Sequence, residues 1–238
     1  MKNQPKQQIS SASFWNNEYK RGKHFTLSSL PSEDLVKFTR FLQKTEGRAH
    51  LNLLASALDL GCGNGRNLVY LAKTFGMRGV GYDVSGEAIA QAKRESAGLP
   101  IAYSIQSVAD NLPLNDNSQT LVLDMMVSHF LSASERAHLI SEITRVLKPG
   151  GWFFFKTFLL DGDTHAERLL REHPADEEGS YIHPAIGVQE HVFTEDEIRE
   201  LLSENFFIHT ISKSHRHKAL GNAAKRRSIS VYAQKTGQ

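Results

Sequence analysis

Two acids and three glycines are the residues here whose spacing suggests chemistry. The chain reads Asp59-Leu60-Gly61-Cys62-Gly63-Asn64-Gly65, and Asp83 closes the next apolar run at 79–82. Glycines in such a turn let backbone approach a ligand where a Cβ would collide. A carboxylate just before them repels phosphate and welcomes an α-amino group. An acid at the tip of a second strand can accept from both hydroxyls of a ribose. The Gly-x-Gly-x-Gly spacing also departs from the Gly-x-Gly-x-x-Gly turn that holds a pyrophosphate.

These residues need strands and helices to position them, and the apolar pattern supplies both. Residues 57–60 predict a short buried strand, 67–75 a helix with Leu68, Leu71 and Ala72 on one face, and 79–82 a second strand. Ser85 is placed to cap a helix reaching about residue 97, and 101–105 make a third strand. The unbroken apolar run 121–127 predicts a strand covered on both faces. Ser132 and Glu135 have capping-box spacing before a helix carrying Leu139, Ile143, Val146 and Leu147, and 152–158 follow as strand five. A second capping box, Thr194 with Glu197, precedes Ile198, Leu201 and Leu202, and closing strands are expected at 206–212 and 228–233. Before the first strand, Pro31 and Ser32 open a helix with Leu35, Phe38, Phe41 and Leu42 at helical spacing. Alternating strands and helices imply an α/β fold with parallel strands and right-handed crossovers.

At 238 residues the chain accommodates one such domain. Residues 1–13 read as a flexible N-terminus and 14–238 as a single domain, with 14–45 a lid and helix and 161–192 a polar, weakly periodic insertion. The lone Cys62 excludes an internal disulfide and a cysteine-based zinc site. No metal is expected, because His183 with His191, or His215 with His217, lacks supporting ligands. The polar start and the absence of a long apolar run predict a cytoplasmic protein with no membrane partner. A net charge of +2 gives no global argument for nucleic acid, although His215, Arg216, His217, Lys218, Lys225, Arg226 and Arg227 crowd one stretch.

Four segments together resemble the class I S-adenosylmethionine-dependent methyltransferases, near the methyltransferase-11 and tellurite-resistance-B-like group. They are LDLGCGNGRN (58–67), GYDVS (81–85), ADNLPLNDNSQTLVLDMMVSHFL (109–131) and RVLKPGGWFFF (145–155), with FWNNEY (14–19) ahead of them. The resemblance implies a Rossmann-like, seven-stranded, mostly parallel sheet with helices on both faces and an antiparallel last strand. It implies S-adenosyl-L-methionine as cofactor and S-adenosyl-L-homocysteine as product. Asp59, Gly61, Cys62, Gly63 and Asn64 would line the methionine end, Asp83 would take the ribose and Val84 the adenine. Ala109 and Asp110 would lie at the adenine edge, Met125 near the methionyl moiety, and Trp15 and Tyr19 in a lid. Such proteins commonly carry an acid four residues before the Leu-Pro pair; here that position is Val108.

Displacement at a sulfonium disperses charge, so alignment alone supplies much of the rate and no obligatory triad is expected. If the acceptor must lose a proton, His129 just after strand four is the candidate base, although it could equally pack at the strand exit. Tyr181, His183 and His191 mark the acceptor region. A polar or anionic small-molecule acceptor is the expectation. Its alternatives are an RNA, DNA or protein methyltransferase using 215–227, a non-catalytic cofactor-binding protein, and an NAD-dependent oxidoreductase.

Overall fold

The computed structural model describes residues 11–22, 28–214 and 226–237. Two helices, α1 (Ser11–Arg21) and α2 (Glu33–Glu46), precede the sheet. Then come β1 (Ser56–Leu60), α3 (Arg66–Phe75), β2 (Arg78–Asp83), α4 (Gly86–Glu95), β3 (Ile101–Ile105) and β4 (Gln119–Met125). The chain continues through α5 (Ala133–Val146), β5 (Leu147–Phe158), α6 (Thr164–Glu172), β6 (Ser180–Ile182) and β7 (Gln189–His191). It ends with α7 (Glu195–Ser203), β8 (Phe206–Lys213) and β9 (Ser228–Lys235).

Among the described residues seven strands form one sheet in the order β3-β2-β1-β4-β5-β9-β8. β9 runs antiparallel to both its neighbours, while β1 to β5 are parallel. The period-two alternation of the central strands explains why helices cover both faces. Leu58, Leu60, Val122, Phe153 and Phe155 meet Leu139, Ile143 and Val146 of α5 and Ile198 and Leu202 of α7. The intervening Ala57, Leu121, Leu123, Trp152 and Phe154 meet Leu35, Phe38 and Leu42 of α2, with Leu68, Leu71 and Ile89 from α3 and α4. The chain order reverses between β1 and β4, which opens a crevice at their carboxyl ends.

Several expectations need correction. β4 stops at Met125 instead of running to Val127, because Asp124 caps its end. One carboxylate oxygen accepts from Val127 N (3.1 Å) and Ser128 N (3.3 Å), and the other pairs with the Ser128 hydroxyl. Met126 then takes a left-handed backbone, φ 74°. Residues 11–13 belong to α1, not to a flexible tail; residues 1–10 lie outside the described residues. The segment 161–192 is not featureless. It holds α6 and an antiparallel ribbon, β6 with β7, around Ala166, Leu169, Tyr181 and Val192. Ser132 and Glu135 form the predicted reciprocal capping box. Thr194 accepts from Glu197 N as expected, but the Glu197 carboxylate reaches His191 Nε2 (2.8 Å) instead of closing a box.

Candidate functional site

The turn after β1 is shaped by its neighbours. Gly61 and Gly63 have φ of 60° and 55°; a Cβ on the first would run into Val127, and one on the second into the Tyr19 hydroxyl. Asp83 ties the turn to the end of β2. Its Oδ2 accepts from Gly63 N (2.9 Å) and its Oδ1 from Ser85 N (2.8 Å). Burial raises the Asp83 pKa, opposed by those backbone donors. Ser85 caps α4 by accepting from Ala88 N, and it donates to Asn16 Oδ1, which docks α1 on α4. Glu87 N to Asn16 Oδ1 and Gln91 Nε2 to Tyr19 O strengthen that dock.

Asp59 lies behind the turn, 1% exposed, and its Oδ2 has no hydrogen-bond partner. Burial pushes its pKa up to about 8, opposed by the Arg66 charge and increased by the nearby Asp83. A buried acceptor without a donor is costly, and a cationic group brought beside it would relieve that cost. The arrangement fits a ligand carrying an ammonium.

In front of this turn opens a cavity of about 450 Å³, within the range of small-molecule sites. Gly61, Cys62, Gly63 and Asn64 form its floor, with Asp83 and Val84 beside them. Ala109 and Val108 close one end, Met125 stands at the tip of β4, and Trp15 and Tyr19 of α1 cover the mouth. The opposite end is walled by Met126, Val127, Phe130 and Leu131, with Lys156 of β5 as its cation. Trp15 meets Phe130 edge to face, ring centroids 5.5 Å apart.

Known proteins show the same pattern. Residues 58–155 match the family described as "Methyltransferase domain". An S-adenosylmethionine-dependent methyltransferase of Methanosarcina mazei superposes with a TM-score of 0.67 at 27% identity, covering 82% of this chain and 98% of that one. The chain carries a methyltransferase domain of the S-adenosylmethionine-dependent kind. An uncharacterized methyltransferase of Synechocystis sp. is 38% identical over 96 residues, 40% of this chain and 43% of that protein. The glycine/sarcosine/dimethylglycine N-methyltransferase of Actinopolyspora halophila is 31% identical over 137 residues, 56% of this chain and 24% of that protein. The chain thus spans less than half the length of these two curated relatives.

Not every expected residue reaches the cavity of the methyltransferase domain. Asp110 is exposed and outside its wall; the buried Val108 takes that place. His129 is a correction. It is 2% exposed, packed between the rings of Phe130 (centroids 3.9 Å apart, tilted) and Phe158 (4.9 Å, edge to face), and absent from the cavity wall. Burial, with the charges of Arg226 and His191 added, pushes its pKa down to about 3. A histidine so placed is held neutral by burial and lies outside the cavity wall.

Tyr181, His183 and His191 also turn away from the cavity. Tyr181 is fully buried and bonds to Glu190 and Arg226. His191 lies between Glu197 and Ser180 Oγ (3.0 Å), with Glu177 at 3.4 Å, and Glu177 pairs with Arg136. His183 Nδ1 accepts from Ala185 N. Of the basic stretch, Arg226 reaches Asp163 (3.2 Å) and covers the Phe158 ring, while Arg227 bonds to the backbone of Asp161 and Ser214. His215, Arg216, His217, Lys218 and Lys225 lie outside the described residues.

The sequence reading missed both polar wall residues, among them Ser32, Asn67, Gln106 and Glu135, and the apolar Met126, Val127, Phe130 and Leu131, because neither a loop polar residue nor an apolar one after a strand carries a signal of what it faces. Lys156 is different. A cation that interrupts the apolar run 152–160 is a visible anomaly in the sequence. Among the described residues, no helix is long and apolar enough to cross a membrane.

Proposed function

We propose that the protein transfers a methyl group from S-adenosylmethionine to a small polar or anionic acceptor. The observation that carries this reading is the combination of Asp83, in the cavity wall, with the buried Asp59 behind the glycine turn, whose Oδ2 has no hydrogen-bond partner. When bound, S-adenosylmethionine supplies a methyl on a sulfonium, open to in-line displacement by a nucleophile. Asp83 accepts the ribose hydroxyls, and Val84 and Ala109 flank the adenine, with Val108 in place of an acid. Gly61, Cys62, Gly63 and Asn64 hold the methionine end above Asp59, and an α-ammonium brought beside that carboxyl favours its ionised form and lowers its raised pKa. Met125 borders the methionyl chain.

Trp15 and Tyr19 exclude water and hold the acceptor in line, where effective molarity gives much of the acceleration. No base is assigned, since His129 does not reach the cavity. The small-molecule reading is favoured over a nucleic acid because Arg226 and Arg227 are engaged within the protein. The Actinopolyspora relative is named for three small amino acids. The test is a screen of small acids, amines and phenols with S-adenosylmethionine, reading S-adenosylhomocysteine by mass spectrometry. Release above the acceptor-free rate supports the proposal. Binding without release for any compound identifies a cofactor-binding protein that does not turn over.

A further inference from the structure

Lys156 is a cation in an awkward place. Phe154 and Lys156 point to the same face of β5, yet Phe154 is fully buried in the core and Lys156 emerges into the cavity. It stands beside Met125 in the β4–β5 register, and its backbone carbonyl accepts from Met126 N at 2.8 Å. Its ammonium meets Asp34 Oδ2 at 2.6 Å, and its side chain is only 20% exposed. Around it the cavity wall combines the apolar Val127, Phe130, Leu131 and Trp15 with the polar Ser32, Asn67 and Glu135.

A lysine needs none of this to stabilise a strand, and a long flexible side chain ordinarily carries its charge to water. Here the charge is kept inside the cavity by one carboxylate. That carboxylate has a second cation, because Asp34 Oδ1 also pairs with Lys37 at 3.0 Å. Asp34 lies in the first turn of α2, where the helix terminus favours negative charge as well. Lys156 can therefore turn to an incoming anion without stranding Asp34. An ammonium has three protons to donate, so one partner need not exclude the other.

We infer that the β5 end of the cavity is an acceptor subsite: Lys156 binds an anionic group, carboxylate or phosphate, on a molecule whose apolar body lies against Phe130 and Leu131. The inference rests on the methyl-transfer reading, which puts the cofactor at the Asp83 end and leaves this end to the acceptor. The partial burial of the Lys156 side chain strengthens such a pair relative to one at the surface. Asp34 tunes the site by competing for the same ammonium.

The test uses protein saturated with S-adenosylhomocysteine and two matched probes, benzoate and benzamide, followed by calorimetry. Benzoate is expected to bind about tenfold more tightly than benzamide, the scale of one charge-assisted hydrogen bond. Lys156→Met should erase that preference, and Lys156→Arg should keep most of it, with affinity for S-adenosylhomocysteine within about twofold in both. Asp34→Asn should tighten benzoate severalfold by removing the competitor. Equal affinity for the two probes in the wild-type protein, including no binding of either, overturns the inference, as does a preference that survives Lys156→Met. Failure to bind S-adenosylhomocysteine would instead sink the methyl-transfer reading, so the two failures are distinct.

Discussion

Tyr19 and Gly63 face one another with no room for a side chain between them: the Tyr19 hydroxyl occupies the space that a Cβ on Gly63 would need. A helix that precedes the sheet thereby closes directly on the turn after its first strand. Gly63 also has φ 55°, a backbone that costs an L-residue about 1–2 kcal/mol. Gly63→Ala should lower stability by at least that much in denaturant titrations. Tyr19→Ala in the same chain should return part of the loss, because it clears the collision. A double-mutant cycle should show coupling above about 0.5 kcal/mol, and additive effects would mean that the two residues do not meet in solution.

Asp83 does structural work as well as facing the cavity, since it accepts from Gly63 N and Ser85 N. Asp83→Ala should therefore weaken S-adenosylhomocysteine binding by about 2–4 kcal/mol and also lower ligand-free stability by about 1–3 kcal/mol. Calorimetry and thermal denaturation read the two effects separately. Unchanged cofactor affinity in a folded Asp83→Ala protein would put the ribose elsewhere.

How far the sequence reveals the site depends on where each interaction comes from. β3 is legible to the residue, because Ile101–Ile105 is bounded by turn residues and pairs through backbone alone. The glycine turn and Asp83 are legible because strained backbone and strand-end acids leave fixed signatures in sequence. The segment 161–192 is not, since β6 and β7 have three residues each and depend on side chains distant in sequence. Arg226 reaches back 63 positions to Asp163 and 45 to Tyr181. Thr194 with Glu197 shows the same limit: the spacing marks the cap, but His191 takes the carboxylate. Tyr181, His183 and His191 lie in the long segment where this fold places acceptor contacts, and position along the chain does not say which way a side chain turns.

The Arg226 cluster should be structural. Its guanidinium bonds to the fully buried Asp163 and to Tyr181, and lies 3.5 Å from Glu190. Arg226→Met leaves those acids without their cation, a loss of about 3–5 kcal/mol for a buried pair broken on one side. The melting temperature should fall clearly, while S-adenosylhomocysteine affinity measured well below the transition should hold. A stable variant with impaired cofactor binding would place Arg226 in the site instead.

Stability should decline as pH rises from about 4. Asp124 is fully buried, and burial raises its pKa to about 6 from 3.8. Between those values the unfolded chain has lost this proton and the folded one retains it, so the native state is favoured at the acid end. The gap corresponds to about 3 kcal/mol, complete once pH passes 6. Asp59, raised to about 8, adds a decline of the same sign across the whole span from about 4 to 8, while the buried His129, lowered to about 3, opposes the two carboxyls up to about pH 6.5 without reversing them. Urea titrations from pH 4 to 8 should show the slope; Asp124→Asn should reduce it below pH 6 only, and Asp59→Asn across the whole range. A stability that climbs steadily with pH would mean that neither carboxyl is raised.

The account stands on the cofactor, and thermal denaturation with two candidate ligands tests it most directly. S-adenosylhomocysteine at about 100 times its dissociation constant should stabilise the protein by about 2.7 kcal/mol and raise the melting temperature by several degrees. NAD at the same concentration should leave it unchanged. A rise with NAD and none with S-adenosylhomocysteine would contradict the methyltransferase reading of Asp59, Asp83 and the glycine turn.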